Sequence, residues 1–224
     1  MISAAGSIEP LGDRAFLARF LSEAEAARWA EAARAEGWVG VEDVVAAYQT
    51  AAVYLDPDVA DFKAIETRLR ALNAAKISSS STARKPRIIE LPVLYDGPDL
   101  AEVARRLGLA ADAVVALHSG TTFDVFAIGF LPGFPYAGYL PDALAGLPRR
   151  ESPRTRVEPG SVALAGRQTG VYPCDSPGGW HLIGRTPLVI VDLEEGWFPI
   201  HAGDRLRFVP IDAETFAARR GARL

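Results

Sequence analysis

Thirteen consecutive residues, GFLPGFPYAGYLP from Gly129 to Pro141, restrict the fold more than any other stretch of the chain. They include three glycines, three prolines and four aromatic residues. Glycine adopts backbone conformations that other residues avoid, and proline fixes φ and lacks a backbone donor, so the segment favours an irregular path over a helix or paired strand. We expect a stiff loop that forms a pocket wall or a contact with another protein, built from the rings of Phe130, Phe134, Tyr136 and Tyr139.

The composition is that of a globular protein. The 224 residues are 23% charged and 49% hydrophobic, which excludes bulk disorder and allows a substantial core. The net charge of −4 does not favour nucleic-acid binding, and no apolar run is long enough to cross a bilayer. The first residues lack the features of a signal peptide, and Cys174 has no second cysteine to pair with. We expect a cytoplasmic protein with no nucleic-acid or membrane partner.

The first 75 residues alternate short apolar strands with two amphipathic helices. Ser22 and Glu25 form a capping box for the first helix, which ends near Gly37. Asp56 and Pro57 are predicted to begin the second. With strands expected near residues 14–20, 38–48 and 50–56, the order is β-α-β-β-α. A strand after the linker would complete a ferredoxin-like fold.

A serine-rich segment, KISSSSTARKP at residues 76–86, is typical of a linker. We place a ferredoxin-like domain at residues 1–85, including the linker at 76–85, and a β-rich domain at residues 86–224. Two short helices are expected around residues 98–108 and 111–119. From Thr121 onward, strand-like runs separated by Gly, Pro and Asp predict a compact β-barrel or sandwich, so the fold class is α+β.

Arginines on the proline- and glycine-rich loops are the first candidates for a site. Arg149 and Arg154 each follow a proline, and Arg185 lies in the same group of loops. A guanidinium can pair with a carboxylate or phosphate through two hydrogen bonds, which suits an anionic ligand. The alternative is that these arginines bind loop carbonyls or nearby acidic side chains.

His118 is a candidate proton-transfer group at the end of a predicted helix, although a histidine there can also cap the helix. Gln168 and Tyr172 lie on a predicted hairpin and could either reach a polar substrate or make structural hydrogen bonds. Cys174 and the serines lack the context of a nucleophile. The sequence has no nucleotide-binding glycine loop and no histidine or cysteine cluster at zinc-ligand spacing, so the chain looks incomplete as an enzyme.

Several motifs together give the chain a specific resemblance. They are PLGDRAFL, VVAAYQTAAVYLDP, FAIGFLPGFPYAGYLP, PRRESPRTRVEPGSVALAG, RQTGVYPCDSPGGWHLIGRTPL and AGDRLRFVPI. With these motifs the chain resembles the family of the 5-oxoprolinase B subunit (PxpB), also described as allophanate hydrolase subunit 1 and as the histidine-kinase inhibitor KipI. The likeness covers nearly the full length.

The resemblance implies a small α+β domain followed by a cyclophilin-like β-barrel. It also implies an ATP-dependent hydrolase of several subunits that opens 5-oxo-L-proline to L-glutamate. The implied partners are the 5-oxoprolinase C subunit, which is carboxyltransferase-like, and the 5-oxoprolinase A subunit, which is of the LamB/YcsF type. The resemblance further implies that ATP is used in the assembled complex, at a site not located in this chain, and we expect the isolated chain to be inactive.

We assign His118, Arg149 and Arg154 as candidate catalytic residues. The candidate substrate-binding residues are Gln168, Tyr172, Arg185 and Phe134, and no metal ligand is expected. Two other functions remain open at this point. One is a non-catalytic inhibitor that binds a sensor histidine kinase, and the other is part of a biotin-dependent urea or allophanate carboxyltransferase.

Overall fold

The computed structural model describes residues 6–72 and 86–224. The chain divides into two compact units, Met1–Pro86 and Arg87–Leu224. The predicted linker at 76–85 lies outside the described residues. Within those residues, no helix is long and apolar enough to cross a membrane.

The N-terminal unit combines an antiparallel sheet with two helices. Its elements are β1 (Ser7–Leu11), β2 (Ala15–Arg19), α1 (Glu23–Ala35), β3 (Val41–Ala47), β4 (Thr50–Leu55) and α2 (Phe62–Ala71). The strand order is β1-β2-β4-β3, so β4 lies between β2 and β3. Buried apolar side chains such as Trp29, Val53 and Leu69 form the core of this unit.

Local capping explains where the two helices begin. The Ser22 hydroxyl accepts the Glu25 N–H, as predicted, and the Glu25 carboxylate in turn accepts the Leu21 N–H. The second helix begins at Phe62, five residues later than Asp56–Pro57 suggested. The Asp61 carboxylate caps it by accepting the Ala64 N–H, whereas the Asp56 carboxylate accepts the Asp58 N–H in a preceding turn.

The structure does not confirm the complete ferredoxin-like fold that the sequence predicted. Strands β2, β3 and β4 with the intervening helix have the expected split arrangement. The strand after the linker does not complete it, because that strand pairs within the C-terminal unit. Its expected edge position beside β2 is occupied by β1, which forms a short hairpin with β2 and was not predicted.

The C-terminal unit contains most of the strands. They are β5 (Ile88–Val93), β6 (Thr122–Ile128), β7 (Pro135–Gly138), β8 (Arg154–Val157), β9 (Ser161–Ala165), β10 (Gln168–Val171), β11 (Ser176–Gly178), β12 (His181–Arg185) and β13 (Arg205–Pro210). The helices are α3 (Leu100–Leu107), α4 (Ala111–Ser119) and α5 (Ala213–Arg219), with a 3₁₀ turn at Asp142–Leu144. Helices α3 and α4 fall where the sequence predicted them.

The sheet of this unit runs in the order β5-β13-β6-β7-β10-β9-β12, with only β5 and β13 parallel. Its ladders do not close it into the cyclophilin-like β-barrel that the family resemblance implied. The outermost strands β5 and β12 are joined by no ladder. The chain after β5 instead contacts β12 through an isolated bridge between Leu94 and Arg185. The Gly97 and Asp99 N–H groups also donate to carbonyls of β12. Strands β8 and β11 form a separate pair.

The run TPLVIVDL at residues 186–193 is another correction, because it forms isolated bridges rather than a ladder strand. Pro187 cannot donate to a ladder. Leu188, Ile190 and Val191 are nevertheless buried, so the apolar pattern marks core residues and not a paired strand.

Candidate functional site

An aromatic cavity of about 220 Å³ lies in the C-terminal unit, where the proline- and glycine-rich loop meets two other loops. Its lining comes from the loop after β6, from the segment before β8 and from the chain around β11. The lining residues are Phe130, Phe134, Tyr136, Arg149, Pro153, Tyr172, Pro177, Gly178, Gly179 and Trp180.

Phe134 is the centre of the aromatic wall. Its ring centroid lies 5.1 Å from that of Tyr136, 5.2 Å from that of Tyr172 and 5.5 Å from that of Trp180, all at edge-to-face angles. Edge-to-face pairs at these separations are favourable because the ring edge is positive and the face negative. Since the side chains of Phe134 and Tyr172 are almost completely buried, this wall has a fixed shape.

Phe130 lies at the mouth of the cavity. Its side chain is 61% exposed, and its ring stacks edge-on against Phe134 at 5.7 Å. Its backbone φ is +67°, a left-handed conformation that is uncommon for a residue other than glycine. The predicted aromatic wall is therefore present with one exception, because Tyr139 instead packs on Phe126 and under the Arg167 guanidinium.

One local feature of the sequence, a glycine in β11, allows the wall to close. Gly178 has no side chain, and a Cβ there would lie 2.4 Å from the Tyr172 hydroxyl oxygen. Any larger residue would therefore push the tyrosine away from β11. Burial raises the pKa of Tyr172, although a backbone hydrogen bond with Trp180 and the charge of Arg149 oppose this, so the hydroxyl is protonated at neutral pH.

Arg149 is the cation of the cavity. Its side chain is exposed, and its guanidinium makes no hydrogen bond or ion pair with any side chain or backbone group in residues 6–72 and 86–224. An unpaired guanidinium beside aromatic rings can bind a carboxylate by donating two parallel hydrogen bonds to its oxygens.

Arg154 occupies a different environment. Its Nη2 donates to Asp99 Oδ1 at 2.7 Å, and Arg150 Nη1 donates to the same oxygen at 3.1 Å. Asp99 is buried, and its second oxygen accepts the Leu182 N–H at 2.7 Å. Burial alone would raise the pKa of Asp99, but the hydrogen bonds from Arg154 and Leu182 and the charges of both arginines hold it below its ordinary value.

A second cavity of about 290 Å³ adjoins Arg154, Arg156 and Arg185. Each of these arginines has a carboxylate partner. Arg156 pairs with Asp175 through two bonds of 3.0 Å, and Arg185 pairs with Asp96, with a shortest contact of 2.7 Å. The charges around this cavity are therefore largely compensated, in contrast to that of Arg149.

His118 is in the core, which contradicts the catalytic position expected for it. The ring is fully buried and packs against Phe123 and Phe208 at centroid distances of 5.3 and 4.4 Å. Burial lowers its pKa from 6.5 to about 3. A histidine that lines neither cavity and stays neutral at physiological pH is not placed to exchange protons with a substrate.

The hydrogen bonds of His118 define its tautomer. The Thr169 hydroxyl donates to the Ala163 carbonyl at 3.0 Å, so it accepts from His118 Nε2–H at 2.8 Å. Nδ1 then accepts from the Tyr95 hydroxyl at 2.8 Å. His118 joins α4 to β10 and to the segment after β5, a structural role.

The structure thus brings together Arg149, Phe134 and Tyr172 of the predicted site residues. His118, Arg154 and Arg185 lie elsewhere, for the reasons given above, and Gln168 lies on β10 opposite Gly138 and Ala165, outside the cavity lining. Trp180 and Asp99 were missed. Nothing in the PGGW segment at residues 177–180 indicates that its tryptophan lines a cavity. No group of metal-ligating side chains occurs in the described part of the chain.

Comparison with known proteins places these features in a family. The carboxyltransferase domain, subdomain C and D, family matches residues 6–197. A protein of Haemophilus influenzae, named as the B subunit of 5-oxoprolinase, is 38% identical over 185 residues, covering 81% of this chain and 84% of that protein. One of the same name from Escherichia coli is 48% identical over 136 residues, which are 59% of this chain and 62% of that protein.

A solved structure resembles the chain as well. The crystal structure of TTHA0988 is 39% identical and superposes with a TM-score of 0.75, covering 89% of this chain but only 40% of TTHA0988. The match with the Escherichia coli protein likewise leaves more than a third of that relative uncovered.

Proposed function

The chain belongs to the family of the 5-oxoprolinase B subunit, and we propose that it forms part of a 5-oxoprolinase, which hydrolyses 5-oxo-L-proline to L-glutamate. The shared name of the relatives supports this function over kinase inhibition or a role in a biotin-dependent carboxyltransferase. Binding to a histidine kinase stays an untested prediction, as does a cytoplasmic location.

One observation carries the proposal for this chain: an unpaired arginine stands at the edge of an aromatic cavity. The substrate 5-oxoproline has a small lactam ring with apolar faces and a single carboxylate. In the proposed complex the rings of Phe134 and Trp180 cover the lactam, and Arg149 pairs with the carboxylate. The chain thereby binds and orients the substrate and excludes water from its ring.

The chemistry of ring opening needs more than this cavity supplies. Amide resonance makes the lactam a poor electrophile, and phosphorylation of its oxygen by ATP in the assembled complex would make attack by water feasible. The arginines at the second cavity, Arg154, Arg156 and Arg185, are each held by a carboxylate, which does not fit a triphosphate site. We therefore assign no nucleotide chemistry to this chain.

Partner proteins complete the proposed enzyme. We propose that these are the carboxyltransferase-like C subunit of 5-oxoprolinase together with its LamB/YcsF-type A subunit. The match to TTHA0988, which covers 40% of that longer chain, supports an assembly in which this unit acts beside further protein. We expect ATP-dependent glutamate release from the reconstituted complex and none from the isolated chain.

A binding experiment tests the site directly. Titration calorimetry of the purified chain and of the reconstituted complex with 5-oxo-L-proline should show that Arg149→Ala weakens binding by about 10- to 100-fold, the usual effect of losing a charge-assisted hydrogen bond. Arg106→Ala removes an exposed arginine of α3 and serves as the control. Equal affinities of the two variants would remove Arg149 from the site, and an absence of binding to wild-type chain and complex would reject the proposed function.

A further inference from the structure

Asp99 has a position that the proposed site does not explain by itself. It directly precedes α3, where an aspartate usually caps the helix, yet its side chain accepts no helix N–H. Instead, this buried carboxylate accepts from Arg150, Arg154 and the Leu182 N–H. A buried charge with three donors on two other segments is an anchor, because leaving any of these groups unpaired would be costly.

The segments that Asp99 joins are those that hold Arg149 in place. The peptide before Arg149 is fixed through the Pro148 carbonyl, which contacts His181 Nε2 at 2.9 Å. The peptide after it is fixed by the Arg150 N–H, which donates to the Gly179 carbonyl at 2.7 Å. Both peptide groups that flank Arg149 are therefore tied to the chain at residues 179–181.

Asp99 fastens both sides of this arrangement. On one side it binds the Arg150 side chain, one residue beyond Arg149. On the other it binds the N–H of Leu182, one residue beyond His181. Its carboxylate thus links the segment that carries Arg149 to the segment that receives the flanking hydrogen bonds.

The charges lead to the same conclusion. Arg149, Arg150 and Arg154 lie within six residues of sequence, and Asp99 is the acceptor for the last two. Without that carboxylate, Arg150 and Arg154 would lack a counter-ion and would compete with Arg149 for an anionic ligand. With it, Arg149 is the one of these three arginines that has no counter-ion among the described residues.

We propose that Asp99 is a positioning residue that binds Arg150 and Arg154 and so fixes Arg149 towards the aromatic cavity. This inference rests on the proposed function for the identity of the ligand. The contacts of Asp99 with Arg150, Arg154 and Leu182, here called the Asp99 clamp, are a property of the free chain and can be measured without any ligand.

The first experiment is native-state hydrogen exchange on the free chain. Asp99→Asn should speed exchange of the Arg150 amide by about tenfold or more, because the segment around it opens locally. Asp124→Asn is the control, since Asp124 is an exposed carboxylate that pairs with Arg205. An Arg150 amide that exchanges equally in both variants would overturn the proposal.

Arg150→Met provides a second variant in case Asp99→Asn does not fold. It removes one donor and leaves Asp99 bound to Arg154 and Leu182. Exchange at residues 149–151 should still increase relative to the Asp124→Asn control. Unchanged exchange there would equally reject the clamp.

The second experiment uses the reconstituted enzyme and separates positioning from general damage. Asp99→Asn should raise KM for 5-oxo-L-proline by about tenfold with little change in kcat. The reason is that a displaced Arg149 loses an interaction that is equally strong with the bound substrate and with the transition state. The double variant Asp99→Asn with Arg149→Ala should have the same KM as Arg149→Ala alone. Additive effects on KM, or a loss confined to kcat, would show that Asp99 does not act through Arg149.

The two experiments distinguish the possible failures. If wild-type enzyme does not bind 5-oxo-L-proline, the proposed function fails, and the exchange of the Arg150 amide still decides whether Asp99 holds this segment. If binding occurs and depends on Arg149 but not on Asp99, the proposed function stands and the positioning role fails.

Discussion

Two regions of the C-terminal unit place a polar group among aromatic rings, with opposite results. Around His118, the rings of Phe123 and Phe208 pack against the fully buried imidazole, and both of its nitrogens have partners inside the protein. Around Arg149, five aromatic side chains surround an open cavity, and the guanidinium has no partner in the described parts of the chain. The first arrangement stabilises the fold, and the second is available to a ligand.

The comparison shows that the type of residue does not decide its role. A histidine is the usual candidate for proton transfer, but here its ring nitrogens are committed to Tyr95 and Thr169. Satisfied polar groups specify a unique core, whereas an unsatisfied cation at a cavity retains its capacity to bind. This difference can be tested by substitutions on both sides.

The largest effect is expected from His118→Ala. It removes a buried ring, the acceptor of the Tyr95 hydroxyl and the donor to the Thr169 hydroxyl oxygen, so the free energy of unfolding should fall by about 3 to 5 kcal/mol. Urea denaturation measures this change. His201→Ala, at an exposed histidine, is the control and should stay within about 0.5 kcal/mol of wild type. Similar losses in free energy of unfolding for both variants would show that the buried contacts of His118 do not stabilise the fold.

Acid should destabilise the wild-type protein through the same histidine. The folded protein keeps His118 neutral down to its lowered pKa of about 3, whereas the unfolded chain takes up the proton near 6.5. Between these two pKa values the unfolded state therefore binds more protons than the folded state. Through this group, the free energy of unfolding falls by up to about 1.4 kcal/mol for each unit by which the pH is lowered. Denaturation curves between pH 6.5 and 4 should show a shallower slope for His118→Gln, and identical slopes would contradict the assignment.

An intermediate effect is expected where the aromatic wall meets the backbone. Tyr172→Phe removes the hydroxyl that bonds to the Trp180 backbone, so the free energy of unfolding should fall by about 1 kcal/mol. Tyr54→Phe changes a 40% exposed tyrosine of β4 and should have a smaller effect. Thermal denaturation of the two variants provides the comparison, and equal shifts in Tm would argue against a structural role for the Tyr172 hydroxyl.

The smallest effect on stability should come from Arg149, the residue that we propose binds the ligand. Because Arg149 has no partner in the folded parts described, Arg149→Ala should change the free energy of unfolding by less than about 0.5 kcal/mol. Combined with the loss of ligand affinity predicted above, this would separate function from stability at one position. A decrease of more than about 1 kcal/mol in the free energy of unfolding would show that Arg149 stabilises the fold, as His118 does.

Much of the local structure could be predicted from the sequence. The capping of α1 by Ser22 and the positions of α3 and α4 depend on interactions over a few residues. The family could be recognised from its motifs for the same reason, since each motif is contiguous. These features were readable because their causes lie next to them in the chain. The irregular path predicted for Gly129–Pro141 was wrong in part, because Pro135–Gly138 form β7, which pairs with β6 and β10.

The candidate site was predicted only in part. Phe134, Tyr172 and Arg149 were named and meet at the cavity, whereas His118 was assigned a catalytic role that its burial contradicts. Arg149 and Arg154 look equivalent in the sequence because each follows a proline. Which of them is free depends on Asp99, which lies 55 residues before Arg154 and showed no motif.

The sequence by itself determined where α1, α3 and α4 lie, because backbone preferences and capping act between neighbours. Only the tertiary structure decided that β5 pairs with β13, that Tyr95 and Thr169 enclose His118, and that Asp99 binds two of the three arginines. Such contacts depend on how elements far apart in sequence pack together. A charge or a hydrogen-bonding group acquires its role from the partners and the solvent access that this packing gives it.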